Sequence, residues 1–340
     1  MKAKILKVLK ENQGKFVSGE MLSSIFGVSR TAIWKHIREL RKDGFVIESS
    51  SKKGYVLQTS PDILDPFEIV QNLSTEVIGK RILRLDSIDS TNNYAKKKAS
   101  EGCEDGTAVI AETQTSGRGR LGREWNSSDK KGIWMSVILK PDIAPEEAQI
   151  ITLAASVAVV KAVKSVTGID TAIKWPNDVI LDGKKVCGIL TEMNTEIDRI
   201  NYIVVGIGVN VNHEKADFPE ELRDKAVSLK MFSKDDMDSK KVLCENYERN
   251  MIITSILFEL EQKYSKIKKG FFRDIVEEWK LYSATIGKEV RVISRNSEYI
   301  GVAIDVAPDG KLIVRCSDGE TREVASGEIS VRGIMGYSPN

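Results

Sequence analysis

Apolar positions along the 340-residue chain fall into three successive regimes, and each predicts its own kind of unit. Over residues 1–60 the spacing is helical. Ile5, Leu6, Val8 and Leu9 form one stripe, and SGEMLSSIF follows with Ser18 at the N-cap and Met21, Leu22 and Ile25 within it. Gly27 permits a tight turn and Ser29 caps a second helix over 30–42. Ile33, Ile37 and Leu40 line its buried side at i, i+4 and i+7. Asp43-Gly44 ends that helix, and FVIESSSKKGYVL then reads as two short strands around a basic tip. Helix, glycine turn, helix and hairpin is the order of a winged helix-turn-helix.

The two prolines of QTSPDILDP place a linker at 61–70. The second regime, over 71–283, is mixed. Strands are predicted at 81–88, 107–111, 133–139, 185–192 and 203–209. The stretch 150–167, rich in alanine and valine, predicts a helix buried on a sheet, while 245–269 and 272–282 read as amphipathic surface helices. Strands and helices do not alternate one for one, so a mixed sheet is expected. From 284 to 340 the period becomes two, broken by turns at Asp309-Gly310 and Asp318-Gly319; this predicts a small SH3-like β-barrel. The whole is of the α+β class.

Charge and composition sharpen this picture. The net charge is +2, yet the first 60 residues carry more than twice as many Lys and Arg as Asp and Glu. That asymmetry hints at nucleic acid. The second helix would present Arg30, Thr31, Trp34, Lys35 and His36 behind the cap Ser29, with Lys52 and Lys53 at the hairpin tip. These residue types contact phosphates and base edges, although a small interaction domain with a solvated basic face would share the pattern. Cys103, Cys187, Cys244 and Cys316 are scattered, and the two histidines are His36 and His213. This argues against structural zinc and for a reducing compartment. The N-terminus lacks a signal-peptide core, and Lys161 interrupts the apolar run 150–163. A soluble cytoplasmic protein without a membrane partner is expected.

Gly117, Gly119 and Gly122 satisfy G-x-G-x-x-G. A dinucleotide fingerprint would open a helix there, but REWNSSDKKG leads instead to another predicted strand. What remains is a glycine loop carrying Arg118, Arg120 and Arg123, forked donors beside backbone that a ligand can approach closely. It is either an anion site or a solvated hairpin loop. Three further patches need explaining: Ser90-Thr91-Asn92 ahead of helix-like NYAKKKA; KWPND at 174–178 followed by Asp182-Gly183, Lys185 and Gly188; and VVGIGVNVN with Gly206 and Gly208. The first could simply cap a helix, and the last could be a bulge. There is no Ser-His-Asp set and no Walker lysine loop. Basic groups among glycines suit phosphoryl or nucleotidyl transfer, which needs positioned charge more than a nucleophilic side chain.

GRGRLGREW, KWPNDVILDGKKVCGIL and VVGIGVNVN, in this order behind a winged helix and ahead of GEIS at 327–330, resemble the bifunctional biotin protein ligases and biotin-operon repressors. The resemblance covers essentially the whole chain. It implies a central domain like that of class II aminoacyl-tRNA synthetases and lipoate ligases. It also implies two steps: biotin carboxylate attacks the α-phosphate of ATP to give biotinyl-5′-adenylate and pyrophosphate, and a lysine of a biotin carboxyl carrier protein then takes the biotinyl group. The carrier would belong to acetyl-CoA carboxylase or a similar carboxylase.

Carried over residue by residue, the family's biotin site falls on Ser90, Thr91, Asn92, Gln114, Arg118, Gly119, Arg120, Lys185 and Gly188. The catalytic set falls on Arg118, Arg120 and Lys185, and the ATP site on Arg118, Arg120, Arg123, Asn177 and Asn210. Trp134 and Val209 are expected to line the pocket for biotin's apolar tail. Mg2+ is expected to accompany ATP chiefly through its phosphates, with Asp178 as a contributor. The segment 213–228 would cover the adenine, but with Phe218 as its one large aromatic it leaves the stacking group unidentified. An adenylate-loaded homodimer on palindromic operator DNA completes what the resemblance implies. Two other readings share parts of the pattern: a lipoate-type ligase, and a metabolite-sensing transcription factor without catalysis.

Overall fold

A computed structural model describes residues 1–340 except 128–129, 197–198, 236–245, 294–297, 327–329 and 334–340, so Cys244 and most of GEIS lie outside the described residues. The chain divides into two compact units, Met1–Ile63 and Leu64–Asn340.

In the first unit, α1 (Lys2–Glu11), α2 (Gly19–Phe26) and α3 (Arg30–Lys42) precede a hairpin of β1 (Val46–Ser50) and β2 (Gly54–Thr59). The caps fall where the sequence puts them. Ser18 Oγ accepts from Met21 N at 2.9 Å, Ser29 Oγ accepts from Ala32 N at 3.2 Å, and Gly27 closes α2 at φ 62°. Ile33, Ile37 and Leu40 bury against Ile5, Leu9, Leu22 and Leu57, whereas Met21 and Ile25 of α2 stay half exposed.

The second unit begins with a difference from expectation. The stretch read as a linker, 61–70, already holds buried Leu64 and the start of α4 (Pro66–Asn72). Asp65 Oδ1 accepts from Phe67 N at 3.0 Å, Pro66 occupies the first turn, and Ile69 is buried. An Asp-Pro pair starts a helix as readily as it interrupts one.

A seven-stranded sheet follows, built from β3 (Ile82–Ile88), β4 (Ala108–Gln114), β5 (Gly132–Leu139), β6 (Ala172–Lys174), β7 (Asp178–Leu181), β8 (Lys184–Glu196) and β9 (Arg199–Asn210). Its order is β3-β4-β5-β9-β8-β7-β6. β3 and β4 run parallel, joined through α5 (Thr91–Ser100), and the other neighbours are antiparallel. Alternate residues separate two layers. Ile133, Met135, Val137, Val205, Ile207 and Val209 face a core shared with α6 (Gln149–Thr167), α8 (Arg249–Lys268) and α9 (Phe272–Lys280). On the opposite face Val109, Ile138 and Val204 pack against Ala95 and Ala99 of α5.

Pro145–Thr167 is long and apolar enough to cross a membrane by length and composition, against the sequence expectation. It is nevertheless the central helix of this core, with Ile150 to Val160 buried without interruption. α8 also departs from the surface helix expected. Arg249 and Lys263 are buried along with its apolar residues. Lys161, Lys263, Glu259 and Glu278 neutralise one another where α6, α8 and α9 meet, with Lys263–Glu278 at 2.9 Å and Lys161–Glu259 at 3.0 Å. A short α7 (Leu229–Asp235) precedes α8.

The remaining strands, β10 (Glu289–Ile293), β11 (Glu298–Val306), β12 (Leu312–Cys316), β13 (Thr321–Val324) and β14 (Ser330–Gly333), form an antiparallel sheet in the order β13-β12-β11-β10-β14. The last strand returns to the first, the connectivity of an SH3-like fold, and Gly310 and Gly319 turn at φ 90° and 86°. Val290, Val292, Leu312 and Val314 join the main core. Residue 284 therefore marks a change of architecture rather than of core.

Candidate functional site

The α5 face of the sheet is emptied by glycine. Gly188 on β8 pairs with Gly208 on β9, and Gly206 lies opposite Ser136 on β5. A Cβ on Gly208 would stand 2.6 Å from Trp125 Nε1, one on Gly188 would stand 2.8 Å from Trp125 Cζ3, and one on Gly206 would collide with Asn92. Those three positions need glycine because Trp125 and Asn92 occupy the space where side chains would project. The result is a cavity of about 750 Å³ over the strands.

Its floor is cross-bonded. Gln114 Oε1 accepts from Thr91 N at 2.8 Å and Thr91 Oγ1 at 3.0 Å, while Gln114 Nε2 donates to Ser127 Oγ at 3.0 Å. Ser136 Oγ lies 2.7 Å from Asn92 Oδ1 and 2.8 Å from Thr91 Oγ1. Asn92 Nδ2 donates to Glu192 Oε2 at 2.8 Å and to Leu190 O at 3.2 Å. Burial pushes the Glu192 carboxyl up, but hydrogen bonds from Lys96 and Asn92 outweigh it and hold the group below its usual range. Ser90 is buried at the N-cap of α5, yet its hydroxyl makes no capping bond.

The rim is the arginine loop. Trp125 N donates to Gly117 O at 2.9 Å and Gly119 N to Arg123 O at 2.7 Å, closing the loop on itself around a single turn at Arg120–Gly122, with Leu121 at φ 56°. No α-helix opens here among the described residues, and β5 pairs antiparallel with β4, as the failed dinucleotide pattern required. Arg118, about half exposed, donates to Asn93 Oδ1 at 3.1 Å. Arg120 donates to Asn177 Oδ1 at 2.9 Å and to the Ser326 carbonyl. Burial pulls the Arg120 guanidinium below its ordinary range and Asp178 partly restores it. Arg123 stays exposed at the mouth.

Lys185 Nζ lies 2.7 Å from Asp178 Oδ1 and 5.1 Å from the centre of the Trp125 ring. Its main chain pairs with the far end of segment 213–228: Lys185 N donates to Lys225 O at 2.9 Å, and Val227 N to Lys185 O at 3.0 Å. Asn177 Nδ2 holds Ile189 O at 2.8 Å and Asn210 Nδ2 holds Val227 O at 3.2 Å, both side chains buried.

The structure thus brings Ser90, Thr91, Asn92, Gln114, Arg118, Gly119, Arg120, Arg123, Asn177, Lys185, Gly188 and Asn210 to one cavity wall. Trp134 lines it too, but Val209 does not. An odd position on β9, Val209 points into the α6 core, and Gly208 and Asn210 face the pocket instead. The sequence reading missed Ser136 and, above all, Trp125. Trp125 meets Trp134 edge-on at 6.4 Å; Trp134, His213 and Phe218 continue the aromatic row at 5.9 and 5.3 Å. Burial pushes His213 down to about 4, with Asp217 opposing the shift. Lys131 Nζ holds Asp217 Oδ2 at 2.6 Å, fastening the segment to the residue just before β5. Among the described residues no three His, Cys, Asp or Glu side chains converge as a metal cage.

In the first unit, Arg30, Thr31, Trp34 and Lys35 lie exposed on α3. Ser29 and His36 are engaged within the helix, Ser29 as its cap and His36 Nδ1 3.0 Å from Glu39 Oε2. At the hairpin tip Lys53 Nζ lies 5.6 Å from the Phe16 ring centre.

Comparison with known proteins agrees with this anatomy. Residues 85–210 match the biotin/lipoate A/B protein ligase family, 2–56 a helix-turn-helix domain and 285–332 the biotin protein ligase C-terminal domain. Fold and pocket define a ligase of the biotin/lipoate class. The chain is 39% identical to the bifunctional ligase/repressor BirA of Bacillus spizizenii, over 96% of this chain and 97% of that protein. Identity to BirA of Escherichia coli is 28% over 94% of each. A biotin protein ligase from Aquifex aeolicus in complex with biotin and ATP is 28% identical, with a TM-score of 0.62 over 75% of this chain and 99% of that one. The chain belongs to the bifunctional ligase/repressor family of biotin protein ligases.

Proposed function

We propose that this protein is an ATP-dependent biotin protein ligase that also represses transcription in response to its own adenylate product. One observation carries the ligase reading: a glycine-emptied strand face, Lys185 and two loop arginines converge on one cavity. Ser90, Thr91 and Gln114 supply hydroxyl and amide groups for the ureido ring, and Trp125 and Trp134 supply apolar surface. Gln114 keeps one Nε2 hydrogen beyond the bond to Ser127.

The carboxylate of biotin and the triphosphate of ATP repel each other. Lys185, Arg118 and Arg120 offset that repulsion and stabilise charge on the transferring phosphoryl group. Holding both reactants in line contributes roughly 7–11 kcal/mol of barrier reduction at best. Asn177, Asn210 and Arg123 border the nucleotide end, and Trp125, a half-buried ring beside Lys185, is the aromatic surface offered to bound ligand there. With no carboxylate cage among the described residues, Mg2+ would ride on the phosphates with Asp178 beside it, neutralising their charge. The acceptor is a lysine of a biotin carboxyl carrier protein, which takes the biotinyl group and releases AMP.

Exposed Arg30, Thr31, Trp34 and Lys35 suit operator DNA, bound by a homodimer in the cytoplasm. Adenylate can favour that dimer only by binding it more tightly than the monomer. The deciding measurement is exchange of labelled pyrophosphate into ATP. Exchange with biotin but not lipoate supports this reading. Exchange with lipoate alone would make it a lipoate-type ligase, and none with either, from folded protein, would leave a metabolite sensor.

A further inference from the structure

Arg120 does not hold its place alone. One arm of its guanidinium donates to Asn177 Oδ1, which Ile189 fixes in turn. The other donates to the carbonyl of Ser326, a residue just beyond β13 on the C-terminal sheet. A backbone carbonyl in an exposed connection is a poor anchor unless something holds the chain. Gln149 does so. At the first position of α6, its Oε1 accepts from Ser326 N at 3.2 Å and its Nε2 donates to Gly310 O at 2.5 Å. Gly310 O also accepts from Trp175 Nε1 at 3.1 Å. The fit is close: Gly310 turns at φ 90°, and a Cβ there would lie 3.2 Å from both Gln149 Cγ and Leu153 Cδ1.

We infer that Gln149, which lies outside the pocket wall, is a positioning residue for Arg120, acting through the Ser326 peptide. One amide side chain bridges two points of the C-terminal sheet, and the same residue whose N–H it holds offers its carbonyl to the arginine. With that peptide fixed, the guanidinium is held at both arms and less of its rotamer freedom must be lost when the triphosphate arrives. The C-terminal sheet thereby becomes part of the ATP site without lining it. This inference rests on the assignment of Arg120 to ATP.

The test is a double-mutant cycle on full-length protein, reading kcat/KM for ATP in biotin-dependent pyrophosphate exchange. Gln149→Met should lower it about tenfold, as for one lost hydrogen-bonded constraint. In an Arg120→Ala background the same change should have almost no further effect. Gln149→Glu keeps the acceptor for Ser326 N and suits a helix N-terminus, and although it cannot donate to Gly310 O, Trp175 Nε1 still does, so it should lose less than Gln149→Met and stay within about threefold of wild type. Equal losses from Gln149→Met in both backgrounds, or a loss from Gln149→Glu as deep as that from Gln149→Met, would overturn the inference. If Gln149→Met does not fold, Gln149→Ala takes its place in the same cycle, with the same outcomes for and against. An Arg120→Ala protein with normal exchange would instead remove the assignment of Arg120, and the inference with it.

Discussion

The floor and the rim of the pocket are built by opposite means. The floor is made by leaving side chains out, at Gly188, Gly206 and Gly208, and filling the space with Asn92 and Trp125. Its polar groups are buried and bonded to one another. The rim is made by adding charge: Arg118 and Arg123 stand largely in solvent on a loop that closes chiefly on itself. Errors in the floor should therefore appear as lost stability together with lost binding. Errors in the rim should appear in chemistry and retention while the fold stays intact.

The largest effect expected is at Lys185, which sits where floor meets rim. Lys185→Ala should lower adenylate formation on the order of a hundredfold or more with an unchanged melting temperature. Near-normal formation in the folded variant would remove Lys185 from the chemistry. Gly206→Ala should show the contrary signature. Its methyl collides with Asn92, which Ser136, Leu190 and Glu192 already hold, so about 1–3 kcal/mol of stability should be lost along with biotin affinity. Thermal unfolding and calorimetry of the same preparation check both at once, and a stable, tight-binding variant would blur the distinction drawn here.

Arg118→Gly should slow synthesis much less than Lys185→Ala, because Lys185 and Arg120 remain, but should release adenylate faster, on the order of tenfold, since the charged hydrogen bond that ties the loop to Asn93 is lost. Tight retention of labelled adenylate would count against a lid role for the loop. The smallest effect concerns pH. His213 is driven from 6.5 to about 4, chiefly by burial, so the folded state favours its neutral form. Between those values the unfolded chain binds the extra proton. Stability from this residue is complete above pH 6.5 and is lost as pH falls toward 4. His213→Phe should flatten that part of the stability–pH curve; an unaltered slope would assign it to other groups.

What the sequence made legible followed local rules. Ser18, Gly27 and Ser29 set the helix ends, and Ile33, Ile37 and Leu40 chose the buried face without help from the rest of the chain. The pocket residues were legible through motif order. Trp125 was not, because its position depends on gaps at Gly188 and Gly208, far along the chain on strands whose register no local pattern fixes. β6 and β7 were missed because three- and four-residue strands flanking the Trp175-Pro176 turn are too short to show a period. α8 was misplaced at the surface because its charged residues, Arg249 and Lys263 among them, find partners inside.

The ion pair beneath the floor has an evolutionary consequence. Glu112 and Arg249 are almost wholly buried; Arg249 Nη1 lies 2.9 Å from Glu112 Oε2 and donates to Gly132 O, while Glu112 Oε1 accepts from Leu64 N. Losing one partner of such a buried pair costs on the order of 3–5 kcal/mol, eased for Glu112 by Arg84 Nη2 at 3.6 Å, whereas replacing both with well-packed apolar side chains is often neutral. Drift at these sites is therefore blocked one step at a time and open only in pairs. Among descendants of this chain the two positions should change together or not at all, across 136 residues of intervening sequence.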